Sequence, residues 1–120
     1  MRSDNNTLSR GLILLPQWAK LIVSGLKTWE VRHTNTKIRG KVYIIASKVN
    51  LIVGEATLID SFPLTEELYN NNGDKHRIIC DYNSLPNNYK WVWQFDNAIE
   101  YDIPVEYKPK RGAQIWVNID

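Results

Sequence analysis

Apolar and polar residues alternate along several stretches of the chain, and each such stretch predicts a strand. Lys41 to Ser47 (KVYIIAS) and Leu51 to Ile59 are the clearest, being β-branched and apolar. Tyr89 to Phe95 puts Trp91, Trp93 and Phe95 on one face. Ala113 to Ile119 turns Ala113, Ile115, Val117 and Ile119 inward and leaves Gln114, Trp116 and Asn118 on the other side. GLILL, ending at Leu15, reads as a short buried strand, and Lys27 to Arg32 resumes in strand-like residues before a loop marked by Asn35, Lys37 and Gly40. Glu100 to Tyr107 reads as a separate extended stretch interrupted by Pro104.

Helical signals fall between these strands. Pro16 suits a first turn, where its missing N–H costs nothing. Trp18, Leu21 and Ile22 then share a helical face, and Gly25 is placed to cap the C-terminus. Thr65 is an N-cap with Glu66 and Glu67 in the first turn, and Asn70 to Asp74 ends that helix. His76 to Tyr82 reads as a further short helix. Five to six short strands with two or three flanking helices define an α+β fold, and a small mixed β-barrel disposes of its strand edges best.

At 120 residues the chain has room for one core, so residues 10–120 are read as one domain after a polar tail over 1–9. The opening MRSDNNTLSR has no apolar core of a signal peptide, and no apolar run approaches the ~18 residues of a membrane span. Cys80 is the only cysteine, which excludes an internal disulfide and points to a reducing, cytoplasmic setting with no membrane partner. Two histidines, His33 and His76, without carboxylates at ligand spacing do not make a metal site, and no Gly-rich phosphate loop occurs. No cofactor is expected.

Charge is more informative by position than in total. The net charge is +2, yet Lys20 to Lys48 holds seven basic residues against Glu30 alone, a net +6. Val49 to Asp74 has no Lys or Arg and a net −5, and Lys108, Lys110 and Arg111 form a second basic knot. Such polarity either makes one face attractive to a phosphate chain or solvates opposite faces of a barrel.

The candidate chemistry lies in Gly25-Leu-Lys27-Thr-Trp-Glu30-Val-Arg32. Strand alternation sets Glu30 and Arg32 on one face, where the carboxylate can orient the guanidinium. Lys27, at the turn out of the Gly25 cap, is free of that alternation and can offer its ammonium to a phosphate or a carbonyl oxygen. A Glu30–Arg32 pair that merely closes the barrel end, with Lys27 solvated, fits the same spacing. Trp116 lies on the polar face of its strand and either packs under a helix or offers a ring to a base. His33 beside Lys27 and Arg32 is a candidate acid–base group for metal-free RNA cleavage.

Gly-x-Lys-x-x-Glu-x-Arg after a helix resembles the signature of the ASCH domain, a relative of the PUA RNA-binding barrel. Pro16-Gln-Trp18-Ala before it, Arg39-Gly40, Ala46-Ser47, Val53-Gly54-Glu55-Ala and Gly112-Ala-Gln-Ile-Trp116 follow the family's order along nearly the whole chain. The resemblance implies a PUA-like barrel whose cleft, between barrel and first helix, is lined by Lys27, Glu30 and Arg32, with Trp18 and Ser47 as walls. Arg39 and Trp116 complete the expected ligand-binding set. It also implies a partner that is RNA, single-stranded, or a nucleoside or nucleotide. Some small ASCH proteins are similar in size and are hydrolases: amidohydrolases of acetylated cytidine, which use a Lys and a Thr three residues later, or ribonucleases. Here Lys27 matches, but Glu30 stands at the Thr position, so an enzyme reading gives Lys27 and Glu30 the catalytic roles, activating a water directly.

Overall fold

Six strands form one curled half-barrel sheet in the computed structural model, which describes residues 9–109, 112 and 115–119. The elements are β1 (Arg10–Leu14), α1 (Pro16–Val23), β2 (Trp29–Arg32), β3 (Gly40–Ala46), β4 (Leu51–Pro63), α2 (Glu66–Asn71), α3 (Gly73–His76), β5 (Trp91–Glu106) and β6 (Trp116–Asn118). The strand order is β2-β5-β4-β3-β1-β6. Among the described residues β1 and β3 alone pair in parallel, joined by a crossover that runs through α1 and β2; the other pairings are antiparallel.

Alternation along β1 and β3 builds two apolar layers from one sheet. Leu12 and Leu14 of β1 join Val42, Ile44 and Ala46 of β3 under Ala19, Ile22 and Val23 of α1, with Trp93 and Phe95 of β5. The intervening Ile13, Tyr43 and Ile45 face the opposite side with Ile52 and Val117. A third cluster, Trp29, Val31, Leu64, Tyr69, Leu85 and Val92, packs beneath α2 and the segment that follows α3. Each large side chain buried in these layers contributes roughly 1.5–3 kcal/mol.

Close packing of α1 on the sheet depends on Gly54. A Cβ there would lie 2.2 Å from the Ile99 carbonyl oxygen and 2.7 Å from Cγ1 of Val23. Neither the backbone oxygen nor the packed valine can retreat cheaply, so Gly54→Ala is expected to cost about 1–3 kcal/mol in chemical denaturation. A variant as stable as the parent would mean that helix and sheet part freely at this point.

Several sequence expectations change in the fold. The inward face of α1 is Ala19, Ile22 and Val23, and Trp18 is turned to one side. The stretches Tyr89–Phe95 and Glu100–Tyr107 are one strand, β5, which keeps its pairing with β4 through register shifts and a positive φ of 51° at Asn97. Pro104 is tolerated because β2 covers only Trp91 to Gln94, leaving β5 with β4 as its sole strand neighbour beyond them among the described residues. The helix expected over His76 to Tyr82 does not form. Arg77 adopts a left-handed conformation, φ 60°, that ends α3, and only a 3₁₀ turn over Tyr82–Ser84 follows. Thr65 does cap α2, its hydroxyl accepting from the Leu68 N–H at 3.1 Å. β6 is limited to Trp116–Asn118; residues 1–8, Lys110, Arg111, Ala113, Gln114 and Asp120 lie outside the described residues.

Candidate functional site

The end of α1 aims the first site residue. Gly25, at φ 84°, takes the left-handed conformation that a helix exit requires, and its N–H bonds the Ile22 carbonyl. The chain then turns back so that the Lys27 N–H meets the Leu21 carbonyl at 3.0 Å. Lys27 is thereby carried inside the protein, where it is only 2% exposed. Its ammonium donates to the His76 carbonyl oxygen at 2.5 Å and stands 4.7 Å from the centre of the Trp18 ring.

Strand β2 supplies the other two charges. Trp29 and Val31 turn into the third apolar cluster, so Glu30 and Arg32 share the opposite face. Glu30 Oε2 accepts from Arg32 Nε at 2.9 Å, while Oε1 lies 3.8 Å from Lys27 Nζ. The carboxylate is thus held by the guanidinium and only approached by the ammonium. Arg32 also lies 5.5 Å from the centre of the Trp93 ring, which supports it from behind.

Burial outweighs the neighbouring charges at Lys27. Desolvation lowers its pKa from the usual 10.5 to about 8, Glu30 opposes that shift, and Arg32 adds to it. No local pattern in the chain marks His76 as the residue whose carbonyl holds the ammonium from below. His76 is buried in a stack on Tyr69, with ring centres 4.1 Å apart. Its Nδ1 accepts from the Ile78 N–H at 2.9 Å, leaving Nε2–H to donate to the Tyr69 carbonyl at 2.8 Å. Both ring nitrogens are engaged as a neutral imidazole, and burial lowers the His76 pKa accordingly.

These side chains open onto a cleft of about 460 Å³. Trp18 of α1 forms one wall, and Ile78, Leu85 and Tyr89, from the segment between α3 and β5, form another. Ser47, just after β3, also lines it. Of the residues expected from sequence, Trp18, Lys27, Glu30, Arg32 and Ser47 come together here. Arg39 and Trp116 do not line it. Arg39 donates to the Thr36 and Ile38 carbonyls and faces Asp60 at 3.8 Å. Trp116 stacks on Trp93, ring centres 5.6 Å apart, so its ring is spent on packing. His33 is exposed outside the cleft, 5.6 Å from the Tyr89 ring. Tyr89 itself is a lining ring that sequence reasoning missed.

The basic segment is partly folded against carboxylates. Lys20 pairs with Glu100, Arg39 with Asp60 and Lys41 with Glu55. These exposed pairs interrupt any continuous track of free cations along that surface. Among the described residues, no three His, Cys, Asp or Glu side chains gather as a metal site would require. No described helix is long and apolar enough to cross a membrane.

A curled, mixed sheet of six strands flanked by short helices is an α+β fold of the PUA-like class. Within that class the chain belongs to the ASCH domain family, whose domain it matches over residues 12–114. An ASCH structure from Zymomonas mobilis superposes with a TM-score of 0.72 at 18% identity, over 93% of this chain and 87% of that one. A serine-to-alanine mutant of that protein gives 0.72 at 17% identity, over 93% and 88%. A tyrosine-to-phenylalanine mutant gives 0.71 at 18%, over 93% and 90%. At such identities the likeness speaks for the fold. No curated protein matches the sequence.

Proposed function

We propose that the cleft binds one nucleoside-sized unit, either a free nucleotide or a single base presented by single-stranded RNA. The observation that carries this reading is the convergence of Lys27, Glu30 and Arg32 with the Trp18 and Tyr89 rings in one cleft of about 460 Å³. That volume suits a small ligand, and its mixture of apolar walls with a few convergent polar groups is what such ligands require. The ASCH family's association with RNA supports the same partner class. A surface groove that tracks phosphates is less well supported, since the exposed Lys20, Arg39 and Lys41 already face carboxylates.

Tryptophan fluorescence or NMR titration with nucleosides, nucleotides and short single-stranded RNA tests the reading. Saturable binding is expected, with Trp18→Ala weakening it by about tenfold, as loss of a stacking ring removes ~1–3 kcal/mol. Absence of saturable binding, or binding indifferent to Trp18→Ala, overturns it.

The lowered Lys27 pKa favours a second reading of the same cleft, a hydrolase acting on a modified nucleoside or on RNA. With a pKa of about 8, roughly a tenth of the lysine is neutral at pH 7 and able to take a proton from water. The water's hydroxide would attack the amide carbonyl or the phosphorus, and Lys27 would return the proton to the leaving group. Lys27→Arg separates the two readings, because arginine keeps the charge and cannot act as a base. Release of acetate from acetylated cytidine, or RNA cleavage, that vanishes in this variant would make the protein an enzyme.

A further inference from the structure

The charges lining the cleft do not cancel. Its charged residues are Lys27, Glu30 and Arg32, so two cations share one carboxylate and one positive charge remains. The hydrogen-bonding capacity is more lopsided still. An ammonium has three N–H groups and a guanidinium five. Among the described residues three of these find an acceptor: Lys27 Nζ at His76 O, Arg32 Nε at Glu30, and Arg32 Nη2 at Ile13 O, the last at a long 3.5 Å. Glu30 Oε1, 3.8 Å from Lys27 Nζ, is beyond hydrogen-bond length. The site is therefore rich in unspent donors and short of acceptors.

A neutral ligand entering this cleft would expel water from those donors and leave the extra charge desolvated, which is costly. A dianion would overshoot by one charge. We infer that the ligand presents one singly charged oxyanion to Lys27 and Arg32, and that it binds only while Lys27 holds its proton. This rests on the nucleoside-sized reading above and narrows it to monoanions. Two sources offer that chemistry: the phosphodiester of a nucleotide and a carboxylate on a planar ring.

Proton coupling follows from what surrounds Lys27. Glu30 and Arg32 face it from β2, α3 contributes the His76 carbonyl with a neutral imidazole behind it, and α1 contributes the non-ionising Trp18 ring. Tyr89 stands on the opposite wall. No second ammonium is present in the lining to replace Lys27 when it deprotonates near pH 8.

Calorimetric titration of the whole chain with cytidine, cyclic cytidine monophosphate and orotate, at pH 7 and pH 9, tests the inference. At least one monoanion is expected to bind about tenfold more tightly than cytidine at pH 7, the size of one good charge-assisted contact. That preference is expected to fall roughly tenfold by pH 9, as Lys27 loses its proton, while cytidine affinity stays level. Lys27→Met is expected to bring the monoanion to the cytidine level at both pH values. A stronger cyclic nucleotide identifies a phosphodiester ligand; a stronger orotate identifies a ring carboxylate. Cytidine binding as tightly as both anions overturns this inference and leaves the nucleoside-sized cleft standing. A monoanion preference that persists unchanged to pH 9 overturns the role of Lys27. Failure of all three probes to bind overturns both readings together.

Discussion

Glu30→Gln is expected to destabilise the protein by about 3–5 kcal/mol at pH 6, the cost of removing one partner from a buried charge cluster. Glu30 is 7% exposed and Lys27 2%, so water cannot take the carboxylate's place at either cation. Arg32 exchanges the charged acceptor of its 2.9 Å bond for a neutral amide oxygen at best, and it cannot deprotonate. Lys27 can. Glu30 is what raises the lysine's pKa against burial, so its removal drives that pKa below about 8. The ammonium then escapes its penalty by releasing a proton, and the cost of the mutation should shrink as pH rises from 6 to 8. Urea denaturation across that range reads both effects. A loss below ~1 kcal/mol, the range of exposed ion pairs, would mean that the cluster is solvated in solution. A loss independent of pH would mean that Lys27 does not respond to Glu30.

What could be read from the chain beforehand was what short-range physics decides. Val42, Ile44 and Ala46 alternate with Tyr43 and Ile45, and the two sets occupy opposite faces of β3. Pro16 starts α1, and Gly25 at φ 84° ends it, as expected for residues whose backbone freedom is fixed or enlarged by their own covalent structure. Glu30 and Arg32 share a face because β2 is a strand. In each case the determinant lies within four or five residues of its effect.

The misreadings share the opposite character. Arg77 and Asn97 hold positive φ without being glycine; asparagine tolerates that conformation, but nothing local announces it at Arg77. His76 reaches Lys27 from 49 positions away, and the donor–acceptor state of its ring is set by Tyr69 and Ile78. Arg39 and Trp116 bear the right chemistry for a ligand, yet one meets Asp60 and the other Trp93 before any ligand can. The charge asymmetry of the sequence suffered the same fate. Three of the seven cations between Lys20 and Lys48 pair with carboxylates brought from β4 and β5. A charge block along a chain becomes a charged surface only if the fold keeps the complementary block away.

Lys27→Met is expected to stabilise the protein at pH 7 by about 1–3 kcal/mol while removing the cleft's preference for an anion. The sign follows from the pKa. The folded chain holds the Lys27 proton only to about pH 8, whereas the unfolded chain holds it to its usual 10.5. Between those values the unfolded state carries more protons, so stability rises with pH, by roughly 3 kcal/mol over the full window. Below pH 8 the whole penalty of burying an ammonium is present. Methionine, of similar length, removes that penalty, offset by roughly 1 kcal/mol for the His76 carbonyl left without its donor. The rise cannot continue to high pH. Tyr69 is pushed up to about 12 and Tyr101 is also raised, both mainly by burial. Above pH 10 the unfolded tyrosines ionise and the folded ones do not, so the folded state now carries more protons and stability falls. Wild-type protein should therefore be most stable between pH 9 and pH 10, and Lys27→Met should be level from pH 8 to about pH 9 and fall beyond it. Denaturation midpoints at unit pH steps from 6 to 11 resolve the two profiles. A wild-type curve that is level between pH 8 and pH 10 would show Lys27 to be solvated and charged throughout that range, and the fall in anion preference expected by pH 9 would lose its basis.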